Sequence, residues 1–155
     1  MRTFALLRVL AFGAVLAACT QRVEVQPVAA PASSVTPALV VEQFLRAANA
    51  AAANDSAGVQ VMGRLLGNKD GPVSEQWPPQ EVHQRMFLTA NILKHDDSKI
   101  VAEQLVPGRP NDAKQLNVEL TMGQRKVIVP FFMVLAKGER WLVERIDLEA
   151  ITKGR

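Results

Sequence analysis

The sequence predicts an α+β domain in which three N-terminal helices pack on a four-stranded antiparallel sheet. Three observations lead there. Apolar residues recur at helical spacing over roughly the first half of the domain, they fall into alternation with polar residues from Ser98 onward, and short turns join the last three strands.

The helices come first. Pro37 suits the opening turn of a helix, and Val40, Phe44, Ala47, Ala48 and Ala51 then recur on one stripe within an alanine-rich run that favours helix intrinsically. Asn54, Asp55 and Ser56 break that helix and can cap a second one, whose apolar side is Val59, Met62, Leu65 and Leu66. GNKDGP, residues 67–72, reads as a loop. Pro78 and Pro79 lead into a third helix carrying Val82, Met86, Ala90 and Leu93, with Phe87 and Ile92 widening the stripe.

The strands follow. SKIVAEQLV is the first, and PGRPND is the loop after it. In KQLNVELTM, Leu116, Val118, Leu120 and Met122 face one way and Gln115, Asn117, Glu119 and Thr121 the other, the pattern of a half-buried antiparallel strand. KVIVPFFMVLA is apolar on both parities. Either a bulge at Pro130 switches its faces and buries both phenylalanines, or the outer face is covered by a partner or a second copy of the chain. WLVERIDLEAI, residues 141–151, closes the sheet.

Ahead of this domain the chain has a different character. Arg2 and Arg8 are the only charges before a short apolar run ending in small residues, which is the layout of an export signal and too short to span a bilayer. Residues 20–36 are rich in Pro, Ala, Ser and Val without a sustained period, and read as a tether. The expected organisation is therefore a signal peptide over 1–18, a cysteine and tether over 19–36, and one domain over 37–155. Loss of residues 1–18 removes two of the 18 basic residues and none of the 15 acids, leaving a net charge of +1. The only local basic pair is Arg125-Lys126, so no nucleic-acid partner is expected.

Leu16-Ala17-Ala18-Cys19 resembles the lipobox of bacterial lipoproteins and matches it at all four positions. The resemblance implies a diacylglyceryl group on the Cys19 thiol, cleavage before Cys19 and acylation of its amino group, so that several chains anchor the protein firmly. A single cysteine rules out a disulfide within the chain. The alternative is an ordinary signal peptide cut after Ala17 or Ala18. By the same resemblance, Thr20 rather than Asp after the cysteine favours the outer membrane, on its periplasmic side, where the cell has one.

Three helices followed by a meander, from VVEQFLRAA to RWLVERIDLEA, resemble the nuclear transport factor two-like, or cystatin-like, fold. The chain looks most like the small exported domains of unknown function on bacterial lipoproteins. The resemblance implies a strongly curved, cone-shaped sheet with the first helix in its concave face and a pocket at the mouth. It does not imply one function.

Candidate chemistry is sparse. The chain has no tyrosine, a proton donor used by enzymes of this superfamily. His83 lies on the flank of the third helix and His95 just past it, and their spacing is not that of a metal-ligand pair; each reads as a solvated side chain unless geometry promotes it. If the last strand is regular, Glu144 shares a face with Leu142, Ile146, Leu148 and Ala150 and points into the cone; a bulge near Val143-Glu144 would instead swap the faces. No phosphate-cradling loop, calcium loop or nucleophile motif is present, and no cofactor or metal is expected. The expected function is a lipid-anchored, non-catalytic module that binds an envelope protein or a small ligand. The alternative is an isomerase or dehydratase using Glu144 or His83 as a base.

Overall fold

A computed structural model of the chain describes residues 35–153. The helical part begins where Thr36 accepts a hydrogen bond on its Oγ1 from the Leu39 amide (3.3 Å), with Pro37 at the first position. Helix α1 (Pro37–Ala52) buries Val40, Val41, Phe44, Leu45, Ala47, Ala48 and Ala51. It ends at Asn54, whose positive φ of 66° is one that asparagine tolerates, and Asp55 then caps α2 (Ser56–Leu65) by accepting from the Ala57 amide at 2.9 Å. Helices α1 and α2 approach very closely at Gly58, where a Cβ would lie 2.5 Å from the Ala47 carbonyl oxygen and 2.6 Å from the Ala51 nitrogen.

The GNKDGP stretch is more ordered than a loop. It forms a hairpin of two-residue strands, β1 (Gly67–Asn68) and β2 (Gly71–Pro72), followed by a four-residue helix α3 (Val73–Gln76). Gln76 holds the hairpin by donating to the Gly71 carbonyl (2.5 Å) and exchanging hydrogen bonds with the Asn68 amide. Helix α4 (Pro79–Leu93) then buries Val82, Met86, Ala90 and Leu93 against α1 and α2. Its exit is tied back to α1. Asn49 donates to the His95 carbonyl (3.0 Å) and accepts from the His95 amide (3.2 Å), and the His95 ring lies between the Leu93 carbonyl and the Asn49 amide.

The second half is a four-stranded antiparallel meander of β3 (Asp97–Leu105), β4 (Ala113–Met122), β5 (Arg125–Ala136) and β6 (Arg140–Ile146), in that order. Leu116, Val118 and Leu120 lie opposite Phe131, Val129 and Val127, and these, with Met133 and Val143, form the sheet's side of the main core. Phe44 reaches it from α1, its ring edge-on to Phe131 at 6.4 Å.

Three expectations are corrected. Pro130 causes no bulge: β4 and β5 pair without a register shift from Ala113 to Met122. The Pro130 carbonyl accepts from Asp147 just beyond the end of β6 (2.9 Å), so the missing proline donor falls on the β6 side, where that strand has ended. Phe131 is buried in the main core while Phe132 lies half-buried on the opposite face, beneath the Arg145 guanidinium (3.9 Å). Finally, the closing strand ends at Ile146. Asp147 accepts from the Glu149 amide (3.1 Å), and a short helix α5 (Glu149–Thr152) carries Ile151 into the core.

The outer face of the sheet has a small core of its own, made of Val134, Ala136 and Leu142. Ile128 remains 54% exposed on β5, and Val101 and Leu105 are exposed on the edge strand β3.

Phe44→Ala removes the side chain that joins helix to sheet. It should cost about 3–5 kcal/mol in urea unfolding at neutral pH. A loss below about 1 kcal/mol would mean that the helix–sheet contact is not a main support.

Candidate functional site

Glu144 and His83 lie at separate places. The pairing of β5 with β6 shifts between Phe132 and Met133, because Phe132 pairs with Arg145 and Met133 with Val143, which leaves Glu144 as the extra residue of a bulge. Val143 belongs to the main core and Leu142 to the outer cluster, so a regular strand placing Glu144 and Leu142 inward does not occur.

Glu144 accepts a hydrogen bond from Arg109 Nη1 at 2.9 Å. Arg109 lies in the β3–β4 loop, where its Nε is 3.6 Å from Asp112 Oδ1, and the Asp112 carbonyl accepts from the Leu135 amide (2.8 Å). Asp112 also pairs with Lys69 of the β1–β2 turn (2.5 Å), while Asp70 pairs with Lys137 of the β5–β6 turn (2.8 Å) and the Lys69 carbonyl accepts from the Lys137 amide (3.1 Å). These ion pairs form a clasp across one end of the sheet. The hydrogen bond to Glu144 raises the pKa of Arg109. Lys69, first by its hydrogen bond and then by its charge, with Arg109 behind it, holds Asp112 below its ordinary value of 3.8, and Lys137 does the same for Asp70. Glu144 and Asp112 are thus both fixed to basic partners, and the arrangement serves to hold the β3–β4 loop against the sheet.

His83 is exposed on α4 and stacks on Phe87 one turn later, the rings parallel with centroids 6.4 Å apart. It stands at the rim of a groove of about 540 Å³ between α2, α3 and α4. The apolar part is Val59, Val82 and Pro79; the polar part is Gln60, Arg64, Ser74, Glu75 and His83. Gln60 and Arg64 are four apart on α2, as Pro79 and His83 are on α4, so each pair shares one helix face. Gly63 admits α4 to this place, since a Cβ there would lie 2.7 Å from Val82 Cγ1. Among the described residues, Gln60, Arg64 and Ser74 make no side-chain hydrogen bond or ion pair, while Glu75 is 3.9 Å from Arg140. A smaller cavity of about 90 Å³ lies on the other side of His83, bounded by Asn54, Asp55 and Phe87.

The main core takes in Phe44, Met62, Met86, Leu116, Phe131 and Met133, all fully buried. His95 serves the α4–α1 tie described above. Among the described residues no cluster of three or more His, Cys, Asp or Glu could hold a metal ion, and no helix is long and apolar enough to cross a membrane. Cys19 lies outside the described residues. Sequence reasoning missed Arg109 as the partner of Glu144, and Gln60, Arg64 and Ser74 as groove residues; the four-residue spacing on α2 was the one signal available. Comparison with known protein-family models, curated proteins and solved structures finds no match.

The clasp has a pH signature. Asp112 has a depressed folded-state pKa, so its contribution is present above 3.8 and is lost as pH falls through the lower folded value. Asp112→Asn should lower stability in urea at neutral pH by a small margin that closes as pH drops below 3.8. A gap between parent and variant that stays constant with pH would show that the charge on Asp112 is not involved.

Proposed function

We propose that this chain is a bacterial lipoprotein, held in the cell envelope by lipid on Cys19, whose nuclear transport factor two-like domain is a non-catalytic binding module. The observation that carries the reading is Leu16-Ala17-Ala18-Cys19 directly after a basic and then apolar segment. The membrane partner is reached through the lipid, the periplasmic side follows from export, and Thr20 favours the outer membrane. Support for the fold assignment comes from the order of elements: helices α1, α2 and α4 precede the meander, and α1 docks on the sheet through Phe44 and Phe131.

The non-catalytic reading draws on chemistry. The interior that would hold a substrate is packed with apolar side chains, Glu144 is tied to Arg109, and His83 sits on an open groove without an acidic orienting partner among the described residues. A general base has to be oriented toward the proton it takes; Glu144 is engaged by Arg109 and His83 has no hydrogen-bonded orienting partner among the described residues. A binding role needs only a concave surface with a few polar groups.

Cys19→Ala should abolish incorporation of radiolabelled palmitate and shift the protein from the detergent-extracted membrane fraction to an uncleaved or soluble form. Unchanged labelling and membrane association would overturn the lipoprotein reading.

A further inference from the structure

The groove between α2, α3 and α4 has the composition of a ligand site. Its volume of about 540 Å³ falls in the range of small-molecule sites, ~300–1,000 Å³. Its floor is apolar, with Val59 and Val82 buried and Pro79 beside them. Its polar groups converge from three separate elements, Gln60 and Arg64 from α2, Ser74 from α3 and His83 from α4. The charge balance favours an anion. The one acid of the lining, Glu75, has Arg140 within 3.9 Å, while Arg64 has no ionic partner among the described residues.

A guanidinium presents a planar fork of donors that matches a carboxylate bidentately, and it keeps its charge at any relevant pH. Ser74, Gln60 and His83 add single donors around it. A highly charged anion such as phosphate calls for more donors and less apolar wall than this groove offers; an apolar body ending in one carboxylate uses both halves of it. We propose that the groove binds a small organic monocarboxylate, with Arg64 holding the carboxylate and Val59, Val82 and Pro79 receiving the apolar body. The site is built on the helices and is distinct from both the filled interior and the Arg109–Glu144 clasp. It deepens the binding-module reading and rests on it.

The test is calorimetric titration of the full chain in detergent micelles with phenylpropanoate, with its neutral analogue phenylpropanamide, and with inorganic phosphate. Saturable binding of phenylpropanoate is expected, with the amide and phosphate each weaker by about tenfold or more. Arg64→Met, which keeps an apolar stem and removes the fork, should weaken phenylpropanoate by about tenfold and leave the amide unchanged. Gly63→Ser, which pushes a side chain toward Val82, should weaken both acid and amide. Far-ultraviolet circular dichroism and the melting curve of each variant separate lost binding from lost folding, and loss of binding only in variants that fail to fold counts against the proposal. No binding of phenylpropanoate at millimolar concentration, equal affinity for acid and amide, or an Arg64→Met protein that binds as the parent does would overturn it. Any of these results with palmitate labelling of Cys19 intact removes the ligand assignment alone; lost labelling with the titration intact removes the lipoprotein reading alone. Conversion of the titrant into a product would overturn the non-catalytic reading.

Discussion

The edge-on contact of Phe44 with Phe131 is the joint on which the rest of the fold depends. Each ring sits at the middle of its element, and each is fully buried. The apolar face that holds the main core must be covered, and α1, α2 and α5 share that cover. Helix α1 has to accept α2 and α4 on its other sides. Its sequence divides the labour by size. Val40, Val41, Phe44 and Leu45 fill volume in its first half, while Ala47, Ala48 and Ala51 leave room for a close approach in its second. Gly58 of α2 uses that room, coming so near the α1 backbone that any side chain there would collide with it. Helix α1 is thus small-sided where α2 crosses it and large-sided where it meets the core.

The main core is filled by large side chains. Methionines 62, 86 and 133 help to close it, their flexible chains suiting irregular gaps between helices and a twisted sheet. Grooves lie on the helical layer and between its elements. The groove beside Arg64 is one such place, opened by the turn through α3 and floored where Gly63 lets α2 approach α4. The bulge at Glu144 serves a different end. By setting Glu144 and Arg145 opposite Phe132, it gives β6 one side chain to pair with Arg109 and another to cover the phenylalanine.

How far the sequence revealed this varies with the element. The alternation of KQLNVELTM specified β4 completely, because a one-residue slip would turn Leu116, Val118 and Leu120 to water. The stripe of α1 was equally plain. KVIVPFFMVLA carried no such information: with both parities apolar, only the pairing partners decide that Val129 and Phe131 face the main core and Val134 the outer cluster. The role of Pro130 depended on where β6 stops, a tertiary fact. For the site the limit is sharper. Arg109 and Glu144 are 35 residues apart and meet only because three strands are in register between them. Arg64 and His83 meet at one groove only because α2 and α4 pack side by side. Single residues on helix flanks look solvated in one dimension, and what distinguishes a groove is what stands opposite.

The groove and the clasp are also linked through the chain. All residues lining the groove fall between Val59 and His83, a segment packed on α1 through α2 and α4. It is fastened again at its centre. Leu66 bridges to Val143 at the open edge of β6, the Val73 amide donates to the Leu66 carbonyl (2.8 Å), and Lys69 and Asp70 reach Asp112 and Lys137. The hairpin between α2 and α3 is thus a separate two-stranded sheet, pinned to the edge of the meander by the bridge from Leu66 and by the ion pairs of its turn. The position of Ser74 and Glu75 relative to Arg64 is inherited from the sheet edge. A groove held both by the buried faces of α2 and α4 and by the sheet edge has the preorganisation that a binding surface needs.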